Sequence, residues 1–287
     1  MSAKIIDGRH ISEQLIEEMA QEVKERMAQG YKQPGLAVVL VGDDPASAIY
    51  VRNKIRSAEK AGMLSIVKRL DESCSQQALD DVVSELNERD DVHGILVQLP
   101  LPKHLSEERI INLIKPSKDV DGFHPMNAGL LSLGQATLIP CTPLGCLELL
   151  KREMGDISGK HAVVIGRSNI VGKPMARLLL LANCTVTVVH SKSVDPAKLC
   201  QQADILVAAV GVPELVTRDW VKSGAVVIDV GINAIEQEGK RKLVGDVNFN
   251  DVVDKCQAIT PVPGGVGPMT IACLIKNTLI AATLSDN

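Results

Sequence analysis

Short, unbroken apolar runs alternate with stretches of helical periodicity along nearly the whole 287-residue chain. Residues 36–41 (LAVVLV), 94–97 (GILV), 162–165 (AVVI), 185–189 (TVTVV), 205–210 (ILVAAV) and 225–230 (AVVIDV) are continuous and rich in β-branched side chains. Strands buried on both faces of a parallel sheet have this character, because neither face meets water. Between them the pattern predicts helices over 12–29, 47–61, 76–89, 173–181 and 196–202. Such alternation specifies an α/β architecture with right-handed crossovers. No low-complexity tract or fixed-period repeat interrupts it.

One stretch breaks the rhythm. Residues 115–140 carry Pro116, the loop KDVDGFHP, Gly129 and Gly134, and are poor in β-branched residues. Cys141-Thr142-Pro143 then opens a helix-like segment, with Thr142 the expected N-cap and Pro143 its first helical residue. A second βαβ series starts at Lys160. Two α/β lobes are therefore expected, residues 1–140 and 141–269, with a cleft between them where ligand pockets tend to lie. Residues 267–284 are long enough for a final helix. Periodicity does not say which lobe it joins.

Composition narrows the function. Lys and Arg number 31 against 35 Asp and Glu, a formal net charge of −4. That balance offers no general attraction to nucleic-acid phosphate or to anionic membranes. Five scattered aromatics, Tyr31, Tyr50, Phe123, Trp220 and Phe249, form no stacking platform for single strands. The seven cysteines are dispersed and show no C-x-x-C spacing, as expected of buried thiols in a reducing compartment. The first residues lack the apolar region of a signal peptide, and unbroken apolar runs fall far short of about 20 residues. A cytoplasmic location is expected.

The second lobe carries a nucleotide signal. Strand HAVVI ends in Gly166-Arg-Ser-Asn-Ile-Val-Gly172-Lys-Pro174 and runs into an apolar helix. A glycine after a strand admits close approach of a ligand, and a following helix N-terminus presents N–H groups to pyrophosphate. The spacing departs from G-x-G-x-x-G, with Ser168 at the second glycine's place. An ordinary strand–helix turn reads the same way, so three further strands in order carry the assignment. The next strand ends in His190-Ser191-Lys192 rather than in the acid that bonds a ribose 2′-hydroxyl. With Arg167, that corner suits a 2′-phosphate, and NADP is the expected cofactor.

The first lobe carries candidate chemistry. Tyr50 and Lys54 are four apart on a predicted helix, one turn from each other on one face. They follow LAVVLVGDDPAS, and so sit near a strand's carboxyl end, where α/β sheets bind ligands. A lysine partly desolvated there can act as an acid or base near neutral pH. Gln98 stands at the end of strand GILV and is followed by two rigid turns. Asp119 and Asp121 form a D-x-D pair, but no matching His or acid completes a metal set, and no metal is expected. A carboxylate gripping the N–H groups of a heterocycle is the simpler role. Near the end, 260–268 (TPVPGGVGP) is a glycine-proline loop that presents backbone amides. Each feature alone has a bland reading: a surface pair, a strand terminator or a stiff connector.

Together, YVRNK (50–54), VQLPLP (97–102), KDVDGFHP (118–125), GRSNIVGKP (166–174), GAVVIDVGIN (224–233) and TPVPGGVGPMT (260–270) closely resemble the bifunctional methylenetetrahydrofolate dehydrogenase/methenyltetrahydrofolate cyclohydrolase family of FolD type. The resemblance runs in order over the whole chain. It implies NADP-dependent oxidation of 5,10-methylenetetrahydrofolate to the 5,10-methenyl form, then hydrolysis to 10-formyltetrahydrofolate. By the same resemblance Lys54 is the proton-handling residue, Gln98 tunes it, Tyr50 packs on the folate and Asp121 holds the pterin. Ser47, Val97, Leu99, Pro263, Gly264, Gly265, Val266 and Gly267 are the further folate contacts. Gly166, Arg167, Ser168, Ser191 and Ile232 are the nucleotide contacts. The resemblance also implies a homodimer, a Rossmann-like second lobe and a C-terminal helix, 270–287, packed on the first lobe.

Two other enzyme types share parts of the pattern. Short-chain dehydrogenases use Tyr-x-x-x-Lys after the nucleotide loop, whereas here the pair precedes that loop. A shikimate-dehydrogenase-like NADP oxidoreductase shares the order of lobes and is the alternative reading. A non-catalytic binding module of the same fold is disfavoured by the presence of Lys54 and Asp121.

Overall fold

The apolar runs lie in parallel strands, and the periodic stretches between them are helices. The structure, a computed structural model, describes residues 3–135, 137–237 and 239–286. The chain opens with β1 (Lys4–Ile5) and α1 (Gly8–Ala28). It continues through β2 (Gly35–Val41), α2 (Pro45–Lys60), β3 (Leu64–Leu70), α3 (Gln76–Glu88), β4 (Gly94–Val97), α4 (Glu107–Leu113) and α5 (Pro125–Ser132). Then come α6 (Cys141–Met154), β5 (His161–Ile165), α7 (Gly172–Leu181), β6 (Thr185–Val189), α8 (Pro196–Cys200), β7 (Ile205–Ala208) and β8 (Val226–Asp229). The chain closes with β9 (Asn233–Gln237), β10 (Lys240–Val244), α9 (Phe249–Val252), β11 (Ala258–Ile259) and α10 (Val266–Leu284). It forms two compact units, Glu13–Cys141 with Ile271–Asn287, and Met1–Ser12 with Thr142–Thr270.

In the first of these units a three-stranded parallel sheet has the order β3-β2-β4. Central β2 is buried at all seven residues. Ala37 and Val39 of β2, with Ile95 and Val97 of β4, pack on Leu79, Val83 and Leu86 of α3 and Ile110 of α4. The 79–83–86 spacing puts those α3 side chains on one stripe. Each buried side chain of this size is worth about 1.5–3 kcal/mol. Ser75 starts α3 by accepting from the Ala78 N–H at 3.2 Å, and Ser106 does the same for Arg109 in α4. Strand β3 is absent from the sequence-based set. None of its seven residues is buried, five being half-buried and Val67 and Arg69 exposed, as suits an edge strand rather than a doubly buried one.

The second unit contains a six-stranded sheet, ordered β1-β11-β8-β7-β5-β6, in which every pairing is parallel. Val163, Ile165, Leu206, Ala208, Val227 and Ile259 form its core with Cys200 and Val252. The order reverses at β5, which has β6 on one side and β7 on the other, as in doubly wound nucleotide-binding folds. In the first unit the order reverses at β2. An antiparallel hairpin, β9–β10, is added after β8; its polar sequence hid it from the apolar-run reading.

The helix at 141 starts two residues before its predicted first residue, Pro143, so Thr142 lies inside its first turn. The Thr142 hydroxyl is 3.0 Å from that of Thr270 instead of capping. Helix α10 is long and apolar enough to cross a membrane by length and composition, and 61% of that stretch is buried within the protein. Asn277 and Thr278, fully buried in it, belong to a core helix with polar work to do.

Candidate active site

Helix α2 begins three residues after β2, where the Asp44 carboxylate accepts from the Ser47 N–H at 2.7 Å. That start sets the helix phase and carries Tyr50 and Lys54 past the carboxyl end of β2, at the point where strand order reverses. The Lys54 ammonium donates to Gln98 Oε1 at 3.0 Å. Gln98 follows β4 directly; its backbone N–H bonds Val39 O at 2.9 Å and its Nε2 donates to Leu99 O at 2.7 Å. Those two tethers fix the amide so that its oxygen faces the lysine. Tyr50 stands 43% exposed one turn from Lys54, with a face free for a ligand. Ser47 and Leu99 are half-buried, while Val97 is core.

The D-x-D pair divides its labour. Asp119 is buried and occupied, accepting from the His124 N–H at 2.8 Å and from Asn127 Nδ2 at 2.9 Å. Asp121 makes no such bonds among the described residues. Burial pushes its carboxyl up to about 6, with the Lys54 charge opposing and Asp119 adding. Its backbone is held from far away in sequence: Asn277 Nδ2 donates to Val120 O at 2.8 Å and to Ile139 O at 2.7 Å. Cys141 Sγ also reaches Val120 O at 3.2 Å, and burial drives that thiol well up, with Asp121 and Cys273 adding. Neither Asn277 nor Cys141 carried a local signal.

The other sequence-predicted residues lie in the second unit. Gly166 ends β5 at φ +112°, where a Cβ would stand 2.1 Å from Ala209 O. Only glycine fits there, leaving the strand end bare for a ligand. Ser168 departs from the expectation for this loop. Its Oγ accepts from the Val171 and Gly172 N–H groups at 3.2 and 3.3 Å, and its carbonyl from Lys173 at 3.0 Å. Pro174 has no N–H, so the start of α7 is satisfied internally rather than open to pyrophosphate. The backbone N–H groups of Arg167, Ser168, Asn169 and Ile170 bond nothing among the described residues and are the donors left over. Gly166 N bonds Val189 O at 2.9 Å, which brings the β6 end, with exposed Ser191, alongside exposed Arg167. Ile232 is 50% exposed.

Pro263, Gly264, Gly265, Val266 and Gly267 lead into α10. The loop is braced by the chain's own beginning: Arg9 N bonds Gly264 O at 3.0 Å, and a Cβ on Gly8 would meet Gly265 O at 1.8 Å. A carboxylate pair missed in the sequence organises the same unit. Asp229 accepts from the N–H groups of Gly231, Asp246 and Val247 at 3.1, 2.9 and 3.0 Å. Asp246 accepts from Val210 and Gly211 N–H at 2.7 and 3.0 Å and from Asn233 Nδ2 at 2.9 Å. Burial raises Asp229 to about 7, the Val247, Asp246 and Gly231 N–H groups opposing and the Asp246 charge adding. The readable signal was an acid, Asp229, inside the otherwise apolar run AVVIDV.

Comparison with known proteins agrees with this division of chemistry. Residues 6–121 match the tetrahydrofolate dehydrogenase/cyclohydrolase catalytic domain, and residues 140–286 match that family's NAD(P)-binding domain. The chain belongs to the tetrahydrofolate dehydrogenase/cyclohydrolase family. It is 58% identical over 282 residues to bifunctional protein FolD 2 of Pseudomonas savastanoi pv. phaseolicola, covering 98% of this chain and 94% of that one. A crystal structure of a family enzyme, FolD methylenetetrahydrofolate dehydrogenase/cyclohydrolase from Campylobacter jejuni, superposes with a TM-score of 0.93 at 47% identity, covering 99% and 100%. A Trypanosoma brucei FolD, solved with NADP and an inhibitor, gives 0.93 at 40% identity, covering 100% and 99%. Shikimate dehydrogenase of Aquifex aeolicus, at 15% identity and 0.53, shares the fold alone.

Proposed function

We infer that this family member oxidises 5,10-methylenetetrahydrofolate with NADP to 5,10-methenyltetrahydrofolate and hydrolyses that cation to 10-formyltetrahydrofolate. The observation that carries the reading is the 3.0 Å Lys54–Gln98 bond at a strand-order reversal, with the Asp121 carboxyl within electrostatic reach of the lysine. NADP fits the residues of the second unit: the bare strand end at Gly166, the unspent N–H groups of Arg167 and Ser168, and the Arg167 and Ser191 side chains. When bound, it supplies the hydride acceptor. Ile232 is exposed in the same unit and suits an apolar contact with the nucleotide.

The chain's own groups then divide the work. Asp121, as carboxylate, accepts from N–H groups of the pterin, and Tyr50 packs on the folate ring. Ser47, Val97 and Leu99 complete the folate contacts of this unit. In the hydrolytic step water adds to the one-carbon bridge of the methenyl cation and a proton is released. The adduct's hydroxyl proton then passes to the departing ring nitrogen as the C–N bond breaks. Lys54 Nζ moves that proton, and Gln98 holds the amine in line by its fixed carbonyl. This is positioning and proton transfer throughout.

We also propose that the enzyme is a homodimer acting in the cytoplasm, with no nucleic-acid or membrane partner. Seven free cysteines support a reducing compartment, and the acidic balance supports the lack of polyanion binding. An absorbance assay with methylenetetrahydrofolate and either nucleotide tests the activity. Methenyl product should accumulate with NADP more than with NAD and then decay. Oxidation of shikimate in place of the folate would overturn the reading.

A further inference from the structure

A cavity of about 520 Å³ opens in the Glu13–Cys141 unit at the far end of its sheet from Lys54. His93, which lines it, directly precedes β4, whereas Gln98 directly follows it. The four residues of that strand, five steps along the chain, set the two about 16 Å apart. The function proposed above does not use this end of the sheet.

The cavity is built around an unspent donor. His93 is 4% exposed, and its Nδ1 accepts from the Gly35 N–H at 3.0 Å. That bond leaves the ring proton on Nε2, which has no partner among the described residues, in a residue that lines the cavity. Lys118 also lines it, half-buried, with one ammonium N–H spent on Arg89 O at 2.7 Å and two remaining.

The local charge favours an anion. Asp286 lines the cavity, but its carboxylate is already claimed by Arg26 from α1, one contact being 2.8 Å. Asp90 is 90% exposed and lies 3.8 Å from Lys32, a loose pairing at the rim. Burial lowers the His93 imidazole, and the next largest influences, Arg26 and Lys118, are cations acting in the same direction, as is Lys32; Asp286 opposes them. Burial and Lys115 likewise lower Lys118, against Asp90, Glu88 and Asp91. An oxyanion beside Nε2 relieves both groups.

The space exceeds what an inorganic ion fills and falls in the range of small-molecule sites, about 300–1,000 Å³. Val92 and Leu284 supply apolar wall, and the Tyr31 ring is held by the Arg26 guanidinium 5.0 Å from its centroid. We propose that this cavity is a second ligand site, binding a small organic anion, a carboxylate or phosphate on a compact apolar or aromatic body, through His93 Nε2–H and Lys118.

Imidazole NMR of the full chain, titrated with phenyl phosphate, benzoate and inorganic phosphate, tests it. At least one organic probe should shift the His93 ring resonances saturably and raise the pH midpoint of His93. It should bind about tenfold tighter than inorganic phosphate; which probe wins identifies the head group. Lys118→Met should weaken it by about tenfold and the exposed Lys32→Met by about threefold. The absence of a saturable His93 shift, equal affinity for inorganic phosphate, or unchanged affinity in both lysine variants would each overturn the proposal.

Discussion

The two units solve the same topological problem with different materials. Each is a parallel sheet whose strand order reverses once, at β2 in one and at β5 in the other. At the β2 reversal the strand ends carry reactive side chains: Lys54 on Gln98, with Asp121 beside them. At the β5 reversal they carry backbone: a glycine that excludes any Cβ, four unspent N–H groups, and buried carboxylates that hold neighbouring loops. Proton transfer needs a movable charge, whereas a phosphate-bearing cofactor needs a rigid set of donors. One scaffold thus serves catalysis in one place and binding in the other.

The largest effect should come from the side-chain end. Lys54→Met should lower hydrolysis of methenyltetrahydrofolate by about 10³-fold, within the range for loss of general acid–base catalysis. Nucleotide affinity, measured by fluorescence titration, should be unchanged. Matching losses at both ends would erase the distinction between the units.

The next effect tests the backbone end. Asp246→Leu strips the acceptor from Val210 N, Gly211 N and Asn233 Nδ2, three part-buried bonds to a carboxylate that is itself fully buried. The expected loss is about 3 kcal/mol of stability, read by denaturant unfolding, because unsatisfied buried donors cost roughly 1–3 kcal/mol each. A stable variant would show the pair to be dispensable to the loops.

A pH series sharpens the comparison further. Asp121 titrates near 6 in the folded protein against 3.8 ordinarily. Between pH 4 and 6 the unfolded chain loses this proton while the folded chain keeps it, so stability contributed by the neutral carboxyl falls as pH rises and levels above 6. The proposed role of Asp121 in gripping the pterin uses the ionised form, so folate affinity should weaken about tenfold per pH unit below 6. In Asp121→Asn that pH dependence should vanish. Asp229, raised to about 7, adds a stability loss of the same sign up to pH 7 that Asp121→Asn leaves in place.

Ser168→Ala should have the smallest effect, about 1 kcal/mol of stability from loss of the hydroxyl that holds the start of α7. Thermal unfolding reads it. No change would mean that the helix start finds other acceptors.

The sheets were legible because their central strands are apolar on both faces; β2, β4, β5 and β6 follow the unbroken runs to within a residue. Edge strand β3 and the β9–β10 hairpin were not, since half-exposed strands admit lysine, arginine and glutamate. Lys54 and Gln98 could each be singled out from their places after strands, but the bond between them spans 44 residues and exists only through the fold. Asn277 lies 157 residues from the carbonyl it grips, and nothing near it in sequence indicates this. The open helix start expected at Gly172 failed for a local reason: a serine in a glycine's usual place brings its own acceptors.

Strand β1 pairs with β11 through Lys4 and Ala258, residues 254 positions apart. During translation the β1 residues must therefore wait for their strand partner until residues 258 and 259 have left the ribosome. Residues 271–286 likewise complete the unit that begins at Glu13. Each unit thus waits for residues made late in the sequence, so the first cannot finish ahead of the second as separate lobes would.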